Sequence, residues 1–141
     1  MILNKFLLIF CVSFFTILKG GIPAPVIKSF EKKFPDTKSV KWSVHNHLWE
    51  AAFKKEETLT KAVFTEDGKW QETASEINAN QLPGNVTEQL NKDNSSTKIK
   101  TVWQVDQVNK LWIYRIELDE KGKTRKLEFD KNGVFIKSSN T

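Results

Sequence analysis

His45 and His47 lie two residues apart, so on an extended strand both rings fall on one face, where a pair of imidazoles could hold a metal ion. The chain has only these two histidines, and no cysteine or carboxylate is spaced to complete a set of three or four ligands. They read as exposed strand residues. Glu128, Asp130, Asn132 and Gly133 have the spacing of the first half of a calcium loop. That loop would open on glutamate, and Ser139 stands six residues after the glycine, where a bidentate glutamate is required. This stretch therefore reads as a strand end and a tight turn. No serine sits in a nucleophile-elbow sequence, there is no glycine-rich phosphate loop, and no paired carboxylates stand out. Glu50 and Glu117 read as ordinary strand residues. The single cysteine, Cys11, excludes a disulfide framework and a cysteine-based zinc site. No catalytic residue, metal ligand or cofactor is expected, and the chain reads as non-enzymatic.

The elements that must carry any other function are set by a small chain. Its 141 residues, 39% hydrophobic and 28% charged, suit one globular domain or two very small ones. The formal charge of +5 falls to +3, 20 basic against 17 acidic residues, once Lys5 and Lys19 are set aside. Basic and acidic residues alternate, so no nucleic-acid partner is expected. Those two lysines flank Phe6 to Leu18, thirteen apolar and small hydroxyl residues in a row. The run is too short to span a membrane as a helix and suits the core of a signal peptide, with cleavage expected after Gly20. Phe10 directly before Cys11 argues against lipidation. Residues 1–20 are thus expected to be a signal peptide and 21–141 the exported domain, periplasmic or secreted, with no membrane span after cleavage.

Pro23-Ala24-Pro25 suits a first helical turn, and Val26, Ile27, Phe30 and Phe34 make an apolar stripe that Pro35 ends. Period-two alternation then predicts strands at 40–45, 47–54, 59–65 and 69–73. Glu66-Asp67-Gly68 is a hairpin turn, its glycine expected at positive φ. The order restarts at Leu82-Pro83, with a short helix carrying Val86 and Leu90. Strands are predicted at 99–105, 111–118, 125–129 and 134–137, with Gly133 in the turn that matches Gly68. Leu48-Trp49 overlays Leu111-Trp112 at an offset of 63, while Phe64, Gly68 and Trp70 overlay Phe129, Gly133 and Phe135 at 65. The fold expected is α+β: two tandem helix-plus-antiparallel-sheet repeats, about 23–76 and 82–138, with the helices packed on one sheet face.

The motifs Phe30-Glu31-Lys32-Lys33-Phe34-Pro35, Val40-Lys41-Trp42, Leu48-Trp49-Glu50-Ala51-Ala52-Phe53, Ala62-Val63-Phe64-Thr65-Glu66-Asp67-Gly68-Lys69-Trp70 and Leu82-Pro83 resemble the PepSY-like family. This family of small secreted or periplasmic bacterial proteins is also described as β-lactamase-inhibitor-like. Trp112-Ile113-Tyr114 and Phe129-Asp130-Lys131-Asn132-Gly133 resemble its second repeat. The resemblance implies the fold of a protein that inhibits β-lactamase through a concave sheet surface. It supplies no inhibitory residues, and inhibition is implied only by analogy of fold.

In this arrangement Trp49, Trp70 and Trp112 belong in the core beneath the helices, with Phe53, Tyr114 and Ile116. Trp42 and Trp103 occupy matching early strands. The opposite face carries Leu48, Glu50 and Ala52 in one half and Leu111, Ile113, Arg115 and Glu117 in the other. Exposed Leu48, Leu111 and Ile113 would make that face sticky, so Leu48, Glu50, Leu111, Ile113, Arg115 and Glu117 form the expected binding surface. The expected function is binding of a periplasmic or extracellular protein, with enzyme inhibition as one form. The alternative is capture of a small ligand or peptide between the two repeats.

Overall fold

The computed structural model describes residues 21–93, 97–108 and 112–140. The expected signal peptide, Cys11 and Leu111 lie outside these residues. Helix α1 (Ala24–Lys33) starts behind Pro23, with Pro25 in its first turn and Lys32 and Lys33 in its last, where cations suit the carbonyl end of a helix. Four strands follow: β1 (Lys41–His45), β2 (Leu48–Lys55), β3 (Thr58–Thr65) and β4 (Trp70–Ile77). A 3₁₀ turn at Ala79–Gln81 leads to helix α2 (Gly84–Asp93). Asn78 and Gln81 fasten that turn by a reciprocal capping box. Strands β5 (Lys98–Gln107), β6 (Ile113–Glu120), β7 (Lys123–Asp130) and β8 (Phe135–Asn140) complete the chain. All eight strands form one antiparallel sheet in sequence order.

The helices lie on one face of the sheet. Val26 and Phe30 of α1, four residues apart, pack on Trp49, Ala51, Phe53, Ala62 and Phe64. Phe30 meets Trp42 and Phe53 edge-on, each at 5.2 Å between ring centres. Val86 and Leu90 of α2 pack on Val102, Tyr114, Ile116, Leu118, Leu127 and Phe129. Trp112 and Trp70 sit at the margins of these two clusters.

Gly68 and Gly133 both have positive φ, at 83° and 79°, as their turns require. Each also receives a helix start. A Cβ on Gly68 would lie 2.5 Å from the Pro25 carbonyl oxygen, and one on Gly133 would run into the Asn85 side chain. The Asn85 side-chain amide donates to the Asn132 carbonyl at 2.8 Å. The segment that resembled a calcium loop is this hairpin, and Asp130 accepts the backbone N–H groups of Asn132 and Val134.

Strand register corrects part of the overlay. Trp49 pairs with Phe64, and Tyr114 pairs with Phe129. Trp49 therefore corresponds to Tyr114, not Trp112, and Leu48 to Ile113, not Leu111. The offset is 65 throughout both three-stranded meanders. It is 60 for the helices and first strands, where Val26, Phe30 and Trp42 correspond to Val86, Leu90 and Val102. The change comes in one hairpin: two residues separate His45 from Leu48, and seven separate Val105 from Ile113. An error of two residues left the predicted faces intact, because side chains alternate with a period of two.

Candidate binding face

The face away from the helices is built from alternate residues of every strand. One row runs Glu50–Val63–Glu72–Gln107, a second Ala52–Lys61–Ala74–Val105–Ile113, and a third Glu76–Trp103–Arg115–Glu128–Lys137. Ala74, Trp103, Val105 and Ile113 form a buried apolar cluster here, although among the described residues no helix lies over them. A single cavity of about 70 Å³ is lined by residues of six successive strands, from Glu50 on β2 to Lys126 on β7. Trp103, Val105 and Ile113 are at most 5% exposed on a face that no described helix covers, so the twisted sheet bends around them and brings side chains of six strands together. Bulges supply the bend. Register shifts occur between Val63 and Phe64, between Ile99 and Thr101, and between Glu128 and Phe129.

The shift after Ile99 explains Trp103. It moves Thr101, Trp103 and Val105 to the concave face, so Trp103 does not share the helix-side setting of Trp42. Along most of the seam between β4 and β5 the helix side carries Thr73, Ser75, Gln104 and Asp106, with the apolar pair Ile77–Val102 only at its end under α2, while the concave side carries Ala74, Trp103 and Val105. Apolar burial therefore changes faces where the helices leave a gap.

Ion pairs cross the concave surface. The Arg115 guanidinium donates to both carboxylate oxygens of Glu72, at 2.7 and 3.0 Å, reaching over β5, and to Glu128 at 2.8 Å. Gln107 supports Glu72 at 3.1 Å, and Lys137 reaches Glu128 at 3.4 Å. Burial works against the charge of Glu72, and the Arg115 guanidinium outweighs it, holding the carboxyl below its ordinary range. Burial likewise opposes the Arg115 charge, and its two carboxylates more than offset that, raising its pKa. Lys61 pairs with Glu50 at 3.4 Å and stands over the Trp103 ring at 5.2 Å. Lys126 lies 3.9 Å from Glu117.

The structure thus brings the described members of the expected surface onto one face but not into equal exposure. Leu48 is open at 39% relative exposure, and Glu50 and Glu117 are half-buried. Ile113 is only 5% exposed, and the Arg115 side chain 18%. The expectation that Ile113 and Arg115 stand in solvent is corrected: curvature buries the first and a three-point clamp holds the second. Val63, Glu72 and Trp103, not expected as surface residues, belong to the same face. A wider hollow of about 320 Å³, lined by His45, Asn46, Leu48, Glu50, Val63, Gln71 and Glu72, extends it toward the β1–β2 hairpin. His47 lies near Glu66, 3.3 Å away, and among the described residues no group of three or more histidine, cysteine, aspartate or glutamate side chains could hold a metal ion.

The family model described as "Putative beta-lactamase-inhibitor-like, PepSY-like" matches residues 47–137. The chain belongs to this family. Solved structures similar to this PepSY-like chain come from Bacteroides species. A "putative periplasmic" protein of Bacteroides eggerthii shares 19% identity at a TM-score of 0.73, covering 86% of this chain and 90% of that one. A DUF2874 family protein of Bacteroides uniformis shares 20% at 0.72, covering 84% and 88%. A BLIP-like protein of Bacteroides fragilis shares 18% at 0.66, covering 84% and 86%. No curated protein matches. At these identities the solved structures establish the PepSY-like fold alone.

Proposed function

We propose that this protein is an exported, non-enzymatic binding domain that engages a protein partner through its concave sheet face. The carrying observation is the cluster Ala74, Trp103, Val105 and Ile113, which floors a helix-free surface rimmed by fixed charges. Such a surface, apolar at its centre and polar at its rim, has the anatomy of a protein interface. Leu48 and Val63 in the adjoining hollow offer an anchor for an apolar partner side chain, and Leu48, Glu50, Glu117 and Arg115 would meet the partner directly. A small ligand held between the two repeats fits less well, because the cavity at the seam holds about 70 Å³ where small-molecule pockets run to ~300–1,000 Å³, and the 320 Å³ hollow lies within the first half, not between the repeats.

The reading includes a cleaved leader at residues 1–20 and a domain of two tandem repeats. The shared meander offset of 65 and the paired glycines support the repeats. The thirteen-residue apolar run and the "putative periplasmic" description of a similar fold support export. Inhibition of an enzyme is the form of binding that the family description suggests. Among the described residues no helix is long and apolar enough to cross a membrane.

The test is capture from a native periplasmic extract with the wild type and with Leu48→Asp. One dominant partner should be retained by the wild type and lost with Leu48→Asp, at unchanged thermal stability. If the captured protein is an enzyme, its activity in the complex reports inhibition. Equal retention by both forms would show that the concave face is not the site.

A further inference from the structure

A second surface lies at the far edge of the sheet. Strand β8 is exposed along all six residues, and no described strand pairs with its outer side. Val134, just before it, is 61% exposed, and Phe135 and Ile136 at its start are 44% and 48% exposed. Natural sheets usually shorten, charge or cover such an edge. The one lysine within β8, Lys137, is engaged with Glu128. Beside β8 on the helix side runs a groove of about 180 Å³, lined by Leu90, Arg125, Leu127, Phe129, Phe135 and Ser138. In the first half the larger Phe30 stands where Leu90 does, ringed by Phe34, Trp42 and Phe53. Strand β4, at the place of β8 in the first half, has its outer edge covered by β5 in antiparallel register. An edge that lacks its strand and a groove that lacks its side chain therefore lie side by side.

We propose that β8 is a strand-addition site for an extended segment of a partner protein, one with apolar side chains at alternate positions and acidic residues between them. Main-chain pairing to β8 would give affinity, and every second side chain would enter the groove. Charge selects the acidic segment. The β7–β8 hairpin carries Lys123, Arg125, Lys126, Lys131 and Lys137 against Glu128 and Asp130, and Arg125 and Lys126 are paired with Glu120 and Glu117 of β6. Both acids are engaged, Glu128 by Arg115 and Lys137, and Asp130 by backbone N–H groups. Lys123 and Lys131 have no ion-pair partner among the described residues. The groove lies on the helix side of the sheet, opposite the concave face, and of the β8 side chains Lys137 faces the concave side.

The probe is a labelled, end-capped octapeptide of alternating valine and glutamate, with alternating valine and lysine as control, titrated onto the purified protein by fluorescence anisotropy. Amide hydrogen exchange of the complex is followed by NMR. The acidic peptide should bind saturably and slow exchange of β8 amides about tenfold or more. Ser138→Glu, at the mouth of the groove, should weaken binding about tenfold, and Lys131→Glu should weaken it through charge alone. Leu48→Asp should leave this binding unchanged even if the concave-face reading fails. Four results would overturn the proposal: no saturable binding, equal binding of the lysine peptide, protection outside β8, or protection that grows with protein concentration without peptide. The last would make a second copy of this chain the occupant. Should Ser138→Glu not fold, Lys131→Glu still decides the charge preference and the exchange map still decides the site.

Discussion

Arg115 ties four strands together from one position: it reaches Glu72 on β4 across β5 and takes Glu128 from β7 beside it. Removing its side chain leaves a half-buried carboxylate, Glu72, and a buried one, Glu128, without their main cation. Arg115→Ala should cost about 2–4 kcal/mol in denaturant unfolding, discounted for partial exposure. A loss under 0.5 kcal/mol would mean that the clamp is a surface pair. The same pair fixes a pH dependence. The Glu72 carboxyl is held below its ordinary range, so its contribution is complete above the unfolded pKa of about 4.5 and is lost as pH falls through the lower folded value. Wild-type stability should fall more steeply than that of Glu72→Gln between pH 5 and roughly pH 3, and parallel curves would refute the assignment. Gly68 shows a different residue-scale constraint, since both its φ and the Pro25 carbonyl exclude a side chain. Gly68→Ala should cost more than the ~1 kcal/mol of a left-handed residue alone, because α1 must also move. Thermal unfolding checks this, with Gly122→Ala, at positive φ in open space, isolating the φ cost.

At the scale of elements, each helix is held by two side chains four residues apart. Phe30→Ala should cost about 3–5 kcal/mol, since the ring touches strands β1, β2 and β3 together. Both helices and the hairpin glycines were legible because proline, glycine and four-residue apolar spacing act locally. Strand β4 was predicted to end at Thr73 and runs to Ile77. Its last four residues, Ala74-Ser75-Glu76-Ile77, lack a clear alternation, because they lie at the seam where the apolar side changes faces. The ladder to β5 carries them as strand. The bulge after Ile99 was equally invisible. One extra residue leaves an apolar pattern that still looks alternating, so Ile99 and Trp103 seemed to share a face that they do not. The faces of β2 and β6 were legible, but the exposure of Ile113 and Arg115 was not. Exposure depends on how far the sheet curls, and curvature is a property of several strands together.

At the scale of the molecule, one helix-side cluster lies under α1 and the other under α2, and of the described residues only Ile77 of β4 reaches from the first half into the second cluster. Among the described residues, the halves are joined across the β4–β5 ladder, the Ala74–Trp103–Val105–Ile113 cluster and the Arg115–Glu72 pair. Units of this size bury too little surface to be robust alone, so the seam must make them one cooperative body. The wild type should therefore unfold in a single calorimetric transition, with van't Hoff and calorimetric enthalpies equal. Trp103 holds the seam from the side with no helix, and Trp103→Ala should both lower stability by about 3–5 kcal/mol and weaken that coupling. The expected sign is a calorimetric enthalpy that exceeds the van't Hoff value, as one half begins to melt before the other. A Trp103→Ala protein that melts earlier but stays two-state would show that the β4–β5 ladder alone couples the halves. The concave cluster would then serve the partner surface and not the integrity of the sheet.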